Sequence, residues 1–307
     1  MRERKTCLLP FLVIIFYIFV PPAISIAQIG ALETDIIEYT SLWKGERFLD
    51  GRPKVPDEIL ERMKEVSIEE AWGVLISHEY RHQFETGWDN MHPERVIVGR
   101  AVTATFMPKR PDVQNETEKR GKEQGRIGGQ NSWVIYTLVE NDLVVVDMFK
   151  TRNFVGDNLA NWIATKTGTG MVIHGGNRDI DGIYEIPDFN SYVRFYNPDG
   201  MVDVTLMGIN IPTRIGQVTV MPGDVVLGGR EGVIFIPAHL AQEVVESSEL
   251  VRIKDKFRQM CFREKIYPLE LIYGKWTEEI EKGYMEWVKD QDKKGKLTPY
   301  QREQLLK

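Results

Sequence analysis

The chain has 307 residues, of which 42% are hydrophobic and 27% charged. That supports one large domain or two ordinary ones around a packed core, and argues against global disorder. Lys and Arg number 39 against 45 Asp and Glu, a formal net charge of -6 that offers no basic footprint for nucleic acid, and two cysteines exclude a disulfide scaffold or a cysteine-rich metal site.

Residues 1–27 read as an export signal. Arg2, Arg4 and Lys5 form a basic start, and an apolar run spans 7–20. Pro21 and Pro22 break it, and Ser25-Ile26-Ala27 offers a small-x-small cleavage site before Gln28. The run is short for a spanning helix, so cleavage is expected rather than an uncleaved anchor. The mature protein would be periplasmic or secreted, with no stable membrane association. It would keep one cysteine, Cys261, and could form no internal disulfide.

The remainder reads as α/β, with an N-terminal extension over 28–56, a main domain over 57–245 and a helical tail over 246–307. Ile59, Leu60, Met63, Val66, Ile68, Ala71, Val74 and Leu75 recur at helical spacing and predict a helix over 57–83. A β-branched run predicts a strand over 95–107, ending at Pro108. The polar, glycine-rich segment 109–131 predicts a long exposed loop. WVIYTLV (133–139) and LVVVDMF (143–149) follow, the second of a fully buried strand type. Gly156-Asp157 opens a helix that Gly168 closes, and MVIH (171–174) is a strand. Short strands with turns between them occupy 202–237. The pattern is helical from Ala238 onward, interrupted at Pro268 and Pro299. The tryptophans read as core or interface anchors and Cys261 as a buried thiol.

Two loops carry chemistry. A helix that starts after a Gly-Asp turn presents free backbone N–H groups, and with its dipole these suit a carboxylate or phosphate. Asp157 is the expected N-cap there, and a cap alone would explain the pattern. The second loop is Gly175-Gly176-Asn177-Arg178-Asp179. Its glycines admit a ligand close to the backbone, Arg178 can stabilise developing negative charge, and Asp179 is a hard oxygen donor of the kind Mg²⁺ accepts. A surface turn with an Arg–Asp pair would explain it equally well in isolation. Both loops follow consecutive strands, where α/β sheets gather their sites, so the two are expected to face one crevice.

GRAVTA (99–104), LVVVDMF (143–149), GDNLANWIATKTGTGMVIHGGNRD (156–179) and VMPGDVVLGGREGVIFIP (220–237) occur in that order. Together they resemble the family of regulator of ribonuclease activity A and the 4-hydroxy-4-methyl-2-oxoglutarate / 4-carboxy-4-hydroxy-2-oxoadipate aldolases, over about residues 57–245. The resemblance implies an α/β fold, an αββα sandwich with swivelling β/β/α-type topology, here with a helical C-terminal extension, assembled as a homotrimer or hexamer. It also implies a lyase that converts a small 2-oxo acid to pyruvate with Mg²⁺ (or Mn²⁺). On that resemblance, Gly156, Asp157, Asn158 and Leu159 form the substrate loop, with amides near Asn158 and Leu159 holding the pyruvyl carboxylate. Arg178 and Asp179 are the catalytic pair: Arg178 binds the keto oxygen that becomes the enolate, and Asp179 holds the metal, directly or through water. A water oriented by the metal or by Arg178 relays the C4-hydroxyl proton.

The chain departs from the family pattern in places. His174-Gly175-Gly176-Asn177 stands where Asp-Gly is more usual, which makes His174 either an extra base or a structural residue. Gly228-Gly229-Arg230-Glu231-Gly232 replaces a Gly-Asp-x-Asp-Gly turn. The acidic residue that a neighbouring subunit's tail would supply could be Glu264, Glu270, Glu278 or Glu279. A non-catalytic binding or regulatory member of the same fold is the first alternative. The second is an exported zinc metallopeptidase, because His78-Glu79-Tyr80-Arg81-His82 matches H-E-x-x-H and His92 could add a ligand from a loop. Failing that, His78, Tyr80, Arg81 and His82 would mark a helix end near the crevice or a subunit contact.

Overall fold

In the computed structural model, which describes residues 29–307, the apolar runs become the strands of one mixed sheet. The expected export signal, 1–27, lies outside the described residues. The described chain begins with α1 (Glu33–Tyr39) and an irregular strap that reaches α2 (Asp57–Met63) and α3 (Ile68–Ser77). One helix is expected over 57–83, and the chain makes two. Ser67 accepts from the Glu70 N–H and Glu70 accepts from the Ser67 N–H, a capping box that ends one helix and starts the next.

Two short edge strands, β1 (Phe84–Glu85) and β2 (Asp89–Asn90), precede the long β3 (Ile97–Pro108). The segment expected as a loop then forms α4 (Pro111–Glu123), with Pro111 at its first turn. Its composition is polar because only Thr117 and Gly121 are buried, so it carries almost no apolar stripe to read. Next come α5 (Gln130–Tyr136), β4 (Asp142–Asp147), α6 (Asp157–Thr167) and β5 (Met171–His174). Gly168 closes α6 in the left-handed conformation, as expected. β6 (Gly176–Asn177), α7 (Ile180–Tyr184), β7 (Ser191–Val193), β8 (Phe195–Tyr196) and β9 (Val204–Ile209) follow. The hairpin β10 (Thr213–Ile215) and β11 (Val218–Val220) leads to β12 (Val225–Gly228) and β13 (Val233–Ile236). A 3-10 turn then enters α8 (Ala241–Glu264), α9 (Leu269–Tyr273), α10 (Glu278–Lys293) and α11 (Pro299–Leu305). Pro268 and Pro299 interrupt the tail where expected, each at a helix start.

The sheet order is β1-β13-β12-β3-β4-β5-β7-β2, with β9 on the far half of β3. β3, β4, β5 and β7 run parallel, which forces crossovers, and helices α4 to α7 lie in them. Alternate residues of β4 feed two cores. Val144 and Val146 pack with α5 and α6, and Leu143 and Val145 pack with the β10–β11 hairpin. Cover on both faces is why this strand reads as continuously apolar. The class is therefore α/β with a helical C-terminal segment, as expected, built on a half-barrel-like mixed sheet.

The boundary placed at 245/246 falls inside α8. Val244 and Val245 of α8 join the α2–α3 core, while Ile253 and Phe257 join the aromatic tail core with Tyr284. Buried Glu249 fastens the tail: it accepts from Arg62 Nε (2.8 Å) and from Thr298 Oγ1 (2.5 Å). Cys261 is buried in that tail core, as expected. Among the described residues no helix is long and apolar enough to cross a membrane.

One buried ion pair anchors the strap. Arg52 donates to both oxygens of Asp142 (3.0 and 3.2 Å) and to Asp50 (2.8 Å), and Asp142 has no exposed side-chain surface. Burial pushes the Asp142 carboxyl up, against the pull of Arg52 and Arg100. Arg52→Ala should therefore cost about 3 kcal/mol, since it removes the main partner of a buried carboxylate and leaves only the Val139 N–H (2.9 Å) and the more distant Arg100 (3.9 Å). A carboxyl raised in the folded state holds protons that the unfolded chain does not, so its folded state gains stability as pH falls. The deficit of the variant, measured by urea unfolding, should shrink from pH 8 to pH 5.

Candidate active site

Backbone pairing brings the two loops together beyond the ends of β4 and β5. Gly176 N–H donates to Arg152 O (2.9 Å), Phe154 N–H to Gly176 O (2.9 Å) and Arg178 N–H to Val155 O (3.1 Å). Buried Asn177 adds a longer contact, accepting from the Val155 N–H at 3.4 Å. The start of α6 and the Arg178-Asp179 pair consequently share one corner, as expected from their positions after consecutive strands.

Gly156, not Asp157, is the N-cap of α6. Asp157 is the first helical residue, and its carboxylate accepts from the Asn158 N–H (2.7 Å). Ala160 is the first amide to close onto a helix carbonyl, that of Gly156 (3.0 Å). The N–H groups of Asp157 and Leu159 thus remain directed out of the helix end, while that of Asn158 is shared with the Asp157 carboxylate.

The role of Gly156 is steric. Its φ of -110° suits any residue, yet a Cβ there would overlap Asp179 Oδ2 and lie 3.0 Å from Arg178 Nε. Asp179 itself adopts the left-handed conformation (φ 58°), which Asp tolerates better than most residues and which turns its carboxylate back toward Gly156. Arg178 Nε stands 3.6 Å from Asp179 Oδ2, and the two side chains keep 46% and 43% of their surface exposed. Both are therefore available to a ligand.

A cavity of about 70 Å³ opens at this corner. Gly156, Asp157, Asn158, Leu159 and Arg178 line it, while Asp179 stands behind Gly156 rather than in the lining. Asn131, Asn153 and Met201 complete the wall and were not singled out from sequence. Asn131 donates to Phe154 O (2.9 Å), and Asn153 donates to Asn197 O (3.1 Å), so both hold the loop. No motif marks them: Asn131 and Met201 reach the site from other segments of the chain, and Asn153 stands three residues before the Gly-Asp pair.

Other candidates are not brought there. His174 and Asp147 are buried and paired at 3.1 Å. By strand alternation they lie on the sheet face of Val172 and Val145, opposite the α6 core, so His174 is structural. Glu264, Glu270, Glu278 and Glu279 lie exposed in the tail and do not line the cavity of their own chain, while their expected place is at a neighbouring subunit's site. The H-E-x-x-H reading is overturned by local structure. α3 ends at Ser77, His78 is its C-cap, and Glu79 is left-handed (φ 64°), so the two histidines do not share a helix face. His78 instead pairs with Glu243 of α8 (2.8 Å), and His92 stacks on Tyr184. A helix end is what this segment forms.

Among the described residues no three His, Cys, Asp or Glu side chains cluster as metal ligands. The donors at the cavity suit only an ion that keeps most of its water: two carboxylates, Asp157 in the lining and half-exposed Asp179 behind it, fit Mg²⁺ chemistry and do not fit a closed zinc site.

Residues 61–235, more than half of the chain, match the profile of the RraA-like family, described as Aldolase/RraA, and the chain belongs to that family. It is 25% identical over 152 residues to a provisionally named 4-hydroxy-4-methyl-2-oxoglutarate aldolase of Halalkalibacterium halodurans, covering 48% of this chain and 72% of that one. It is 30% identical over 164 residues to the protein DlpA of Legionella pneumophila, covering 52% of this chain but 24% of that one. In structure it resembles RraAS2 of Streptomyces coelicolor, described as an unusual member of the RNase ES inhibitor RraA protein family. The TM-score is 0.58 at 24% identity, over 68% of this chain and 98% of that one, a likeness of fold.

Gly156→Ala tests the close approach directly, since its backbone angle carries no penalty. Pushing aside the half-exposed ends of Arg178 and Asp179 should cost under about 1 kcal/mol but move both groups. Thermal unfolding and a crystal structure of the variant would show this, and unmoved side chains would mean that the two do not pack against Gly156.

Proposed function

We propose that the protein is a divalent-metal-dependent lyase that cleaves or decarboxylates a small 2-oxo acid through a pyruvate enolate, in the manner of 4-hydroxy-4-methyl-2-oxoglutarate aldolase. The observation that carries this reading is the shared corner: an open helix N-terminus, a half-exposed guanidinium and a half-exposed carboxylate, kept together by the missing side chain of Gly156. Family membership and the aldolase relative support it. The amides of Asp157 and Leu159 bind the substrate carboxylate, strengthened by the helix dipole. That seats the adjacent keto oxygen toward Arg178, whose guanidinium stays protonated and holds the negative charge that oxygen gains. In the retro-aldol direction the C4 hydroxyl loses its proton to water. The C4 oxygen becomes a carbonyl as the C3–C4 bond breaks, and the C4 fragment leaves as a second oxo acid; the bond's electron pair enters the enolate, and protonation at C3 yields pyruvate. Asp179 would hold the Mg²⁺ (or Mn²⁺), which when bound supplies Lewis-acid stabilisation of the same developing charge.

Two further parts of the proposal rest on other grounds. The basic, apolar and small-residue pattern of residues 1–27 supports export to the periplasm or beyond. The oligomeric habit of the fold supports a homotrimer or hexamer.

Pyruvate release from oxaloacetate and from 4-hydroxy-4-methyl-2-oxoglutarate provides the test. Release should require added Mg²⁺ or Mn²⁺, stop with EDTA, and fall by about 10²–10³-fold in Arg178→Ala. Asp179→Ala should raise the metal concentration needed for half-maximal rate. No release from either acid at saturating metal would sink the lyase reading in favour of a non-catalytic binding member of the fold.

A further inference from the structure

A second concavity lies away from the corner just described. The strap over 39–57 and the turn over 237–242 both fall outside the family-matched residues 61–235. They enclose two adjoining cavities of about 510 and 210 Å³, which share Leu42, Trp43, Ala238 and His239 as common walls. The larger is of the size that encloses small organic molecules.

Its aromatic wall is preformed. Arg47 donates to Thr40 O (2.8 Å), Thr40 Oγ1 (2.7 Å), Trp43 O (3.2 Å) and Gly51 O (2.7 Å), which locks the strap. The Trp43 indole N–H donates to Glu46 O (2.8 Å), which sets the ring against the cleft. No ordering of this wall is then left for a ligand to bring about.

The carboxylates around the mouth are paired, Glu46 with Lys54 (2.8 Å) and Asp57 with Arg100 (2.7 Å). Lys44 donates to Ser41 O (2.7 Å) on the exposed rim, where solvent and salt screen its charge. A charged ligand would therefore gain little there. The inner end, by contrast, holds polar groups with unused capacity. His239 Nε2 lies 3.5 Å from Tyr80 OH, the outer limit of a hydrogen bond, and its other ring nitrogen has no partner among the described residues. Gln83 spends its amide N–H on Phe235 O (2.9 Å), and its amide oxygen has no partner among the described residues. Burial, helped by the nearby His78, pushes His239 down, so at neutral pH its ring offers one donor and one acceptor.

We propose that this cleft binds a small neutral aromatic molecule carrying one hydroxyl, its ring against Trp43 and its hydroxyl on His239 and Gln83. The proposal is independent of the chemistry assigned to Arg178 and Asp179.

Three probes of one shape test it: 2-naphthol, naphthalene and 2-naphthoate. With the purified protein, 2-naphthol fluorescence should show one saturable site. Naphthalene should compete about five- to a hundredfold more weakly, the loss of the two neutral hydrogen bonds of the hydroxyl. 2-Naphthoate should compete more weakly than 2-naphthol. His239→Phe keeps the wall and removes the polar head, so it should erase the preference for naphthol while naphthalene still binds. Trp43→Ala should weaken all three. The proposal falls if no probe saturates, if naphthoate binds best, or if both variants bind like the parent. It also falls if Trp43→Ala, without any probe, changes the sedimentation coefficient, since the cleft would then be a contact between copies of the chain.

Discussion

Three main-chain hydrogen bonds bring the candidate site together. They join 152–155 to 176–178, extending the parallel register of β4 and β5 past the ends of those strands. Without them the start of α6 and the Arg178-Asp179 pair would be two unrelated surface features, a helix cap and a turn. With them, a helix dipole and a guanidinium meet at one small cavity, with a carboxylate just behind it. The cost is steric: a side chain at position 156 would push the ends of Arg178 and Asp179 aside, and Asp179 takes a left-handed backbone.

The strap is held by a different kind of force. Arg52 and Asp142 are both buried, so their pairing contributes less net energy than the penalty incurred if either is lost. What the pair supplies is position. It ties residues 50–52 to the first residue of β4, and Arg100 ties Asp57 to β3. The strap that runs into these anchors, with Trp43 locked by Arg47, is thereby fixed over the turn that follows β13, and a cleft remains between the two. Two concave sites on one chain thus have separate origins, one in sheet register and one in an added strap.

The family contains both aldolases and ribonuclease regulators, so fold alone does not assign a reaction to this chain. The proposed reading rests instead on side chains: a guanidinium and a carboxylate held side by side at a helix N-terminus are the groups that enolate chemistry would use.

Much of this was legible in the amino-acid order. Periodicity identified the buried strand β4, glycine and proline marked the ends of α6 and the breaks in the tail, and the Gly-Asp and Arg-Asp pairs stood out by residue chemistry. These are local properties, set by backbone sterics and by how far an apolar pattern repeats. Errors arose where the deciding partner was distant or the signal weak. α4 has almost no apolar face, and the break at Ser67 depends on one capping box inside an otherwise helical pattern. The H-E-x-x-H string loses its meaning because the helix stops one residue before it. Only the tertiary structure decided that Gly156 is bare because Asp179 lies against it. The same holds for His174, which faces the far side of the sheet, and for Asn131 and Met201, which reach the cavity. Those outcomes depend on which segments meet in space, and no spacing along the chain encodes that meeting.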